Sequence, residues 1–214
     1  MLQTETVEGS TLELLKNLMC DEQLSDFILA GGTNLALQIG HRKSIDLDLF
    51  THKPFETAKL IDYLQKQYDL QIKVKREYNT IIGAIAGVKV DMIAHLYPLL
   101  QEPIVEEKIR MYSLSDIVCM KLLAISDNGT RLKDFVDIAY LSTKMQFSEM
   151  ITNYATKYSA SPIRAVKGLS YFEEIDFSTP INLCNGKPFQ WKEIEQRIRD
   201  MIKFETKVFE TMPI

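Results

Sequence analysis

Three cysteines in 214 residues, Cys20, Cys119 and Cys184, are too few and too scattered to staple a fold. They share no metal-ligand or redox spacing. Cys20 and Cys119 fall in apolar helical patterns, so reduced, buried thiols in a cytoplasmic protein are expected. Glycine (9) and proline (7) are sparse, which excludes collagen-like and low-complexity chains. No apolar run approaches bilayer length. Met1-Leu2-Gln3-Thr4-Glu5 lacks the basic start and apolar stretch of a secretory signal, so neither export nor a membrane partner is expected. Positive charge is not in excess. Lys and Arg number 25 against 29 Asp and Glu, a net charge of -4. That balance gives no sign of constitutive non-specific nucleic-acid binding and leaves room for a local basic patch. With 46% apolar and 25% charged residues and no repeat, the chain reads as folded throughout. Its length allows one good core or two small lobes.

What is present is concentrated between residues 30 and 50. Ala30-Gly31-Gly32-Thr33 puts two glycines and a hydroxyl at the mouth of a short helix. Glycine lets a phosphate approach the backbone, and the first-turn N–H groups with the helix dipole hold an anion. Ser44-Ile45-Asp46-Leu47-Asp48-Leu49-Phe50 then reads as an apolar strand carrying two acids. Residues i and i+2 of a strand share a face, so Asp46 and Asp48 project together, while Ile45, Leu47 and Leu49 are expected in the core. Paired carboxylates repel, and a divalent cation relieves that repulsion. Mg²⁺ held by one or two carboxylates and substrate phosphates is the usual arrangement. The pattern predicts a site for a nucleoside triphosphate and Mg²⁺ or Mn²⁺, with Gly31, Gly32, Thr33 and Ser44 on the phosphate side.

The remaining pattern predicts an α/β (α+β) fold: a small mixed-sheet core over residues 1–110 and a helical lobe over 111–214. Leu12 to Met19 predicts a helix, Phe27–Ala30 a buried strand, Asn34–Ile39 a helix stopped by Gly40, and Pro54 to Gln67 another helix. Gln71–Glu77, Thr80–Ala86 and Val88–Ala94 predict strands, the last two joined at Gly87 by a hairpin turn. Ser113-Leu114-Ser115-Asp116 is expected to cap a helix running through Ile125, with further helices over Leu132–Ser142, Ser148–Tyr158, Pro162–Leu169 and Trp191–Val208.

Further chemistry-bearing residues each admit two readings. Asp91, on the Val88–Ala94 strand, joins Asp46 and Asp48 if the two strands are neighbours; it is otherwise an ordinary hairpin acid. Lys121 lies in a segment apolar almost all round. It is either a point charge for the β/γ-phosphates or a snorkelling lysine whose head reaches water. Asp134 and Asp137 share a helix face. They bind a base, position Lys121 or complete the metal shell, or they merely complement the helix dipole. His41 and Arg42 either touch phosphate or acceptor or sit in a solvated loop. Arg131 and Lys133 are candidates to guide an acceptor. His52 and His95 have no partner at metal-ligand spacing, and the methionines read as core filling.

Gly31-Gly32-Thr33, twelve residues, then Asp46-Leu47-Asp48-Leu49 resembles the signature of the polymerase-β-like nucleotidyltransferase superfamily, with Thr33 in place of the commoner serine. The longer text is similar to AbiEii/AbiGii-type nucleotidyltransferase toxins. That likeness rests on residues 30–33, 40–50, Val90-Asp91, Met120-Lys121-Leu122-Leu123-Ala124-Ile125 and Lys133-Asp134-Phe135-Val136-Asp137-Ile138. It continues more loosely through Leu169–Phe172 and the Trp191 helix. The resemblance implies an NTP-dependent transferase in which Asp46 and Asp48 bind metal, Lys121 contacts triphosphate, and Asp134 or Asp137 completes the site. It also implies an antitoxin partner and a tRNA 3′ end as acceptor. Nucleotidylation of a small molecule or a protein, and a non-catalytic nucleotide-binding module, are the competing expectations.

Overall fold

The computed structural model describes residues 1–75 and 78–214. The expected strand over 71–77 is described as far as Lys75; Arg76 and Glu77 lie outside the described residues. The chain divides into a sheet unit, Met1–Gly40 with Ser44–Ser113, and a helical unit, Leu114–Ile214 with His41–Lys43.

Among the described residues of the sheet unit, seven strands form one mixed sheet in the order β3-β4-β5-β2-β1-β7-β6. Two strands lie at its centre. β2 (Leu47–Thr51) alternates buried and half-buried residues, the period-two signature of a strand with one face inward. β1 (Ile28–Ala30), buried throughout, runs antiparallel to β2. β5 (Val88–Ala94) runs parallel to β2 on its other side. β4 (Thr80–Ile85) reaches β5 through Ala86 and Gly87, both with positive φ, as the twist of a two-residue hairpin requires. β3 (Gln71–Lys75) adds the edge. β6 (Ile104–Glu106) and β7 (Ile109–Met111), which sequence reasoning missed, form a hairpin on the opposite side. Its turn residues, Glu107 and Lys108, also take positive φ and lack a glycine to announce it.

α1 (Gly9–Cys20), α2 (Gly31–Ile39) and α3 (Thr57–Tyr68) contribute Leu15, Leu18, Leu37 and Leu64 to a core shared with Leu29, Leu47, Leu49, Val90 and Met92 of the strands. α2 begins at the glycine pair itself, earlier than expected, and ends at Gly40 with φ +69°. Two expectations fail here. Ile45 lies ahead of β2 and is 56% exposed, because the strand starts only at Leu47. Cys20, at the end of α1, is exposed, whereas Cys119 is buried.

In the helical unit, α4 (Leu114–Asp127) packs on α5 (Leu132–Leu141), α6 (Phe147–Tyr158) and α7 (Ile163–Leu169). α8 (Trp191–Lys203) packs on α5 and stops short of the expected Val208, where Phe204 leaves the helical conformation. All of α5 except Lys133 is buried, so it is the centre of the unit. Lys157 of α6 donates to Asp116 of α4 at 2.7 Å, both side chains fully buried. Removing one partner of a buried pair strands the other charge. Lys157→Met should therefore lower the unfolding free energy by about 3–5 kcal/mol, and adding Asp116→Leu should restore most of it. Urea denaturation of the single and double variants checks this; an equally unstable double variant contradicts it.

Candidate active site

The sheet unit assembles its acids from two parallel strands. Asp48 of β2 stands in register with Asp91 of β5. Register partners on neighbouring strands point to one side of the sheet, so Asp91 lies beside Asp48. Asp46, just ahead of β2, is half-buried. Its place is held by Thr33, whose hydroxyl donates to the Asp46 backbone carbonyl and lies 2.8 Å from the Ser44 hydroxyl. Thr33 is fully buried, so this hydroxyl braces the entry into β2.

Gly31 has a geometric duty of its own. Its φ is +66°, and a Cβ there would lie 1.8 Å from Asp48 Oδ2. The Asp48 carboxylate thus sits against the opening of α2, where Ala30 at the N-cap makes no side-chain capping bond. An acid at a helix N-terminus is favoured by the dipole. Gly31, read from sequence as part of a phosphate cradle, makes room for Asp48.

One residue of this face was missed from the sequence. Lys89 donates to Asp91 Oδ2 at 2.6 Å. Burial pulls its ammonium down, but Asp91, then Asp48 and Asp46, outweigh that and hold its pKa above the ordinary lysine value. The signal was available: Lys89 is i−2 from Asp91 and shares its face. Asp91 Oδ1 is buried with no hydrogen-bond partner among the described residues. No group of three or more His, Cys, Asp or Glu in metal-holding geometry occurs among the described residues. Hard oxygen donors, an unpartnered carboxylate oxygen and a cation already resting among the acids nevertheless suit Mg²⁺, which takes few protein ligands beside substrate phosphates.

The helical unit holds the other candidates in a buried ionic network. Asp137 accepts from His41 Nε2 at 2.8 Å and from Arg42 Nε and Nη2 at 2.7 and 2.9 Å. Lys121 Nζ lies 2.8 Å from Asp137 and donates to Asp134 at 2.7 Å. Arg131, exposed, lies 3.5 Å from Asp134, and Lys133 is half-buried. The Lys121 head does not snorkel; its side chain is 8% exposed. His41 and Arg42 are not in a solvated loop. Residues 41–43 pair with 182–184, through Lys43 N–H to the Asn182 carbonyl and Cys184 N–H to the His41 carbonyl. Burial would raise the Asp137 pKa, but Arg42, Lys121 and His41 together hold it well below the usual carboxylate range. Burial likewise lowers the His41 pKa from its ordinary value against the pull of Asp137. Lys121 goes the other way: burial is outweighed by Asp134 and Asp137, which keep it charged.

A family model for the nucleotidyl transferase AbiEii toxin of type IV toxin–antitoxin systems matches residues 13–91 and 88–206. The chain belongs to that family. The enzyme is a nucleotidyltransferase. An uncharacterized protein of Aquifex aeolicus (strain VF5) is 32% identical to it over 189 residues, covering 84% of this chain and 87% of the relative. Two Helicobacter pylori crystal structures share the fold. One, provisionally described as a nucleotidyltransferase, has 19% identity, TM-score 0.55 and coverage of 93% of this chain and 96% of that one. The other, JHP933, has 19% identity, TM-score 0.54 and coverage of 94% and 93%.

Two outcomes follow for the enzyme. Gly31→Ala adds about 1–2 kcal/mol of left-handed strain and drives Asp48 from its place. Transfer activity should fall at least about a hundredfold, a threshold set at roughly 2.7 kcal/mol of lost transition-state stabilisation. Wild-type turnover in a folded Gly31→Ala enzyme would contradict the geometry. The second outcome concerns pH. His41 has a depressed pKa, so below its ordinary value of 6.5 the unfolded chain takes up a proton that the folded chain refuses, and stability falls. Asp137 adds a second loss below 3.8. The Lys121 contribution holds below 10.5 and fades as pH rises through its higher folded value. Melting temperatures at about pH 8 and about pH 5 should differ less for His41→Gln than for wild type; an equal difference would remove His41 as the cause.

Proposed function

We propose that the enzyme transfers a nucleoside monophosphate from an NTP to an RNA hydroxyl, the 3′ end of tRNA, releasing pyrophosphate. It acts in the cytoplasm as the toxin of a type IV toxin–antitoxin system, with an antitoxin protein as its partner. The observation that carries this reading is the register of Asp48 with Asp91 across parallel strands, with Asp46 beside them. Asp46, Asp48 and Asp91 would hold Mg²⁺ or Mn²⁺, which when bound supplies charge neutralisation and a lower pKa for the attacking hydroxyl. The acceptor hydroxyl gives up its proton to solvent, its oxygen bonds to the α-phosphorus, and the bond from that phosphorus to the oxygen bridging to the β-phosphate breaks, so pyrophosphate leaves and no redox partner is needed. The α2 N-terminus at Gly31, Gly32 and Thr33, with Ser44 close by, binds phosphate through backbone N–H groups. Lys121 supplies positive charge to the triphosphate in the transition state. Asp134 and Asp137 keep Lys121 charged and oriented, and His41 and Arg42 act through Asp137. Arg131 and Lys133 guide the acceptor.

A small cationic acceptor is the second reading, favoured by the net charge of -4. Label transfer separates the two. Protein is incubated with Mg²⁺, each α-labelled NTP in turn and a total tRNA pool. Label should pass to tRNA from one NTP and disappear in Asp46→Asn/Asp48→Asn, whose melting temperature should equal or exceed wild type because like charges have been removed. Unchanged turnover in that double variant contradicts the metal assignment. A tRNA pool left unlabelled by wild-type protein contradicts the RNA acceptor.

A further inference from the structure

Lys89 is not among the residues that the proposed reaction uses, yet it stands where the reaction's cation is wanted. Lys89 and Asp91 are i and i+2 on β5 and leave the sheet on one face. The ammonium lies 2.6 Å from Asp91 Oδ2. One positive charge therefore lies at Asp91, beside its register partner Asp48 on β2. The Lys89 side chain is 41% exposed while that of Asp91 is 13% exposed. The lysine head can leave for water, whereas the acid stays. The other oxygen of Asp91 is buried and without a hydrogen-bond partner among the described residues, so Asp91 has acceptor capacity beyond the lysine.

We propose that Lys89 is a resident counter-cation: it neutralises the acid face of β2 and β5 in the substrate-free protein and competes with a bare divalent ion for Asp91. The proposal rests on the reading of Asp46, Asp48 and Asp91 as the metal-holding residues. An ammonium close to a carboxylate weakens that carboxylate's attraction for any second cation, and the effect is large where water is partly excluded. Displacing Lys89 is favourable only when the incoming cation brings further partners, and a triphosphate provides them. Lys89 thus acts as a positioning residue that couples metal entry to nucleotide entry. A lysine serving only as a cross-face ion pair would stabilise the strand and leave metal affinity alone.

The test titrates MnCl₂, without nucleotide, into wild type, Lys89→Met, Lys89→Gln and Lys89→Arg, reading free Mn²⁺ by electron paramagnetic resonance. Asp46→Asn/Asp48→Asn sets the background. Lys89→Met should bind Mn²⁺ about tenfold or more tightly than wild type, and Lys89→Arg, which keeps the charge, should match wild type. Lys89→Gln replaces the methionine variant if that one does not fold. Adding a non-hydrolysable NTP should narrow the difference between variants. Equal Mn²⁺ affinity in wild type and the neutral variants overturns the counter-cation and leaves the metal assignment standing. No saturable binding above background in any of them, with or without the nucleotide, overturns both.

Discussion

Packing several carboxylates onto one face of a sheet is unfavourable, and the sheet unit is organised around making it tolerable. The register between β2 and β5 puts Asp48 beside Asp91. Each feature around that pair relieves charge or makes room for it. Gly31 leaves space for the Asp48 carboxylate at the head of α2, where the helix dipole favours an anion. Lys89 bridges to Asp91. Thr33 and Ser44 fix the chain just before Asp48. On the reverse face, Leu47, Leu49, Val90 and Met92 are buried in the core and hold both strands in place. The apolar side of the strands supplies the rigidity that lets the polar side keep its charges together.

The helical unit solves the opposite problem, keeping charges ionised without water. Asp137 gathers Arg42, His41 and Lys121 within hydrogen-bond range, and Lys121 is shared with Asp134. Burying ions this deeply is rarely the cheapest way to hold helices together; apolar residues of like volume would often do better. The network instead fixes a lysine as a cation and anchors the 41–43 segment to the helices. The Lys157–Asp116 pair repeats the device elsewhere in the same unit.

Much of the fold was legible because its strands and helices obey simple periods. The acid pair on β2, the strand at Val88–Ala94 and the hairpin turn at Ala86–Gly87 all follow from alternation and a glycine. The β6–β7 hairpin was not legible, since strands of three residues show no period and Glu107-Lys108 is not a turn signature. The burial of His41 and Arg42 was hidden for a different reason. Polar residues between a helix and a strand read as loop, and only Asp137, distant in sequence, gives them a partner. Ile45 erred the other way, an apolar residue left exposed because the strand begins two residues later. Long-range pairing decides these cases, and no local window contains it.

We propose that Asp48 and Asp91 hold one cation between them. Crystals grown with MnCl₂ and a non-hydrolysable NTP test it most directly, through the anomalous signal of manganese. A manganese peak should lie within bonding distance of carboxylate oxygens from both Asp48 and Asp91, with Lys89 turned away. Manganese bound elsewhere, or bound with Asp91 still paired to Lys89, would contradict it.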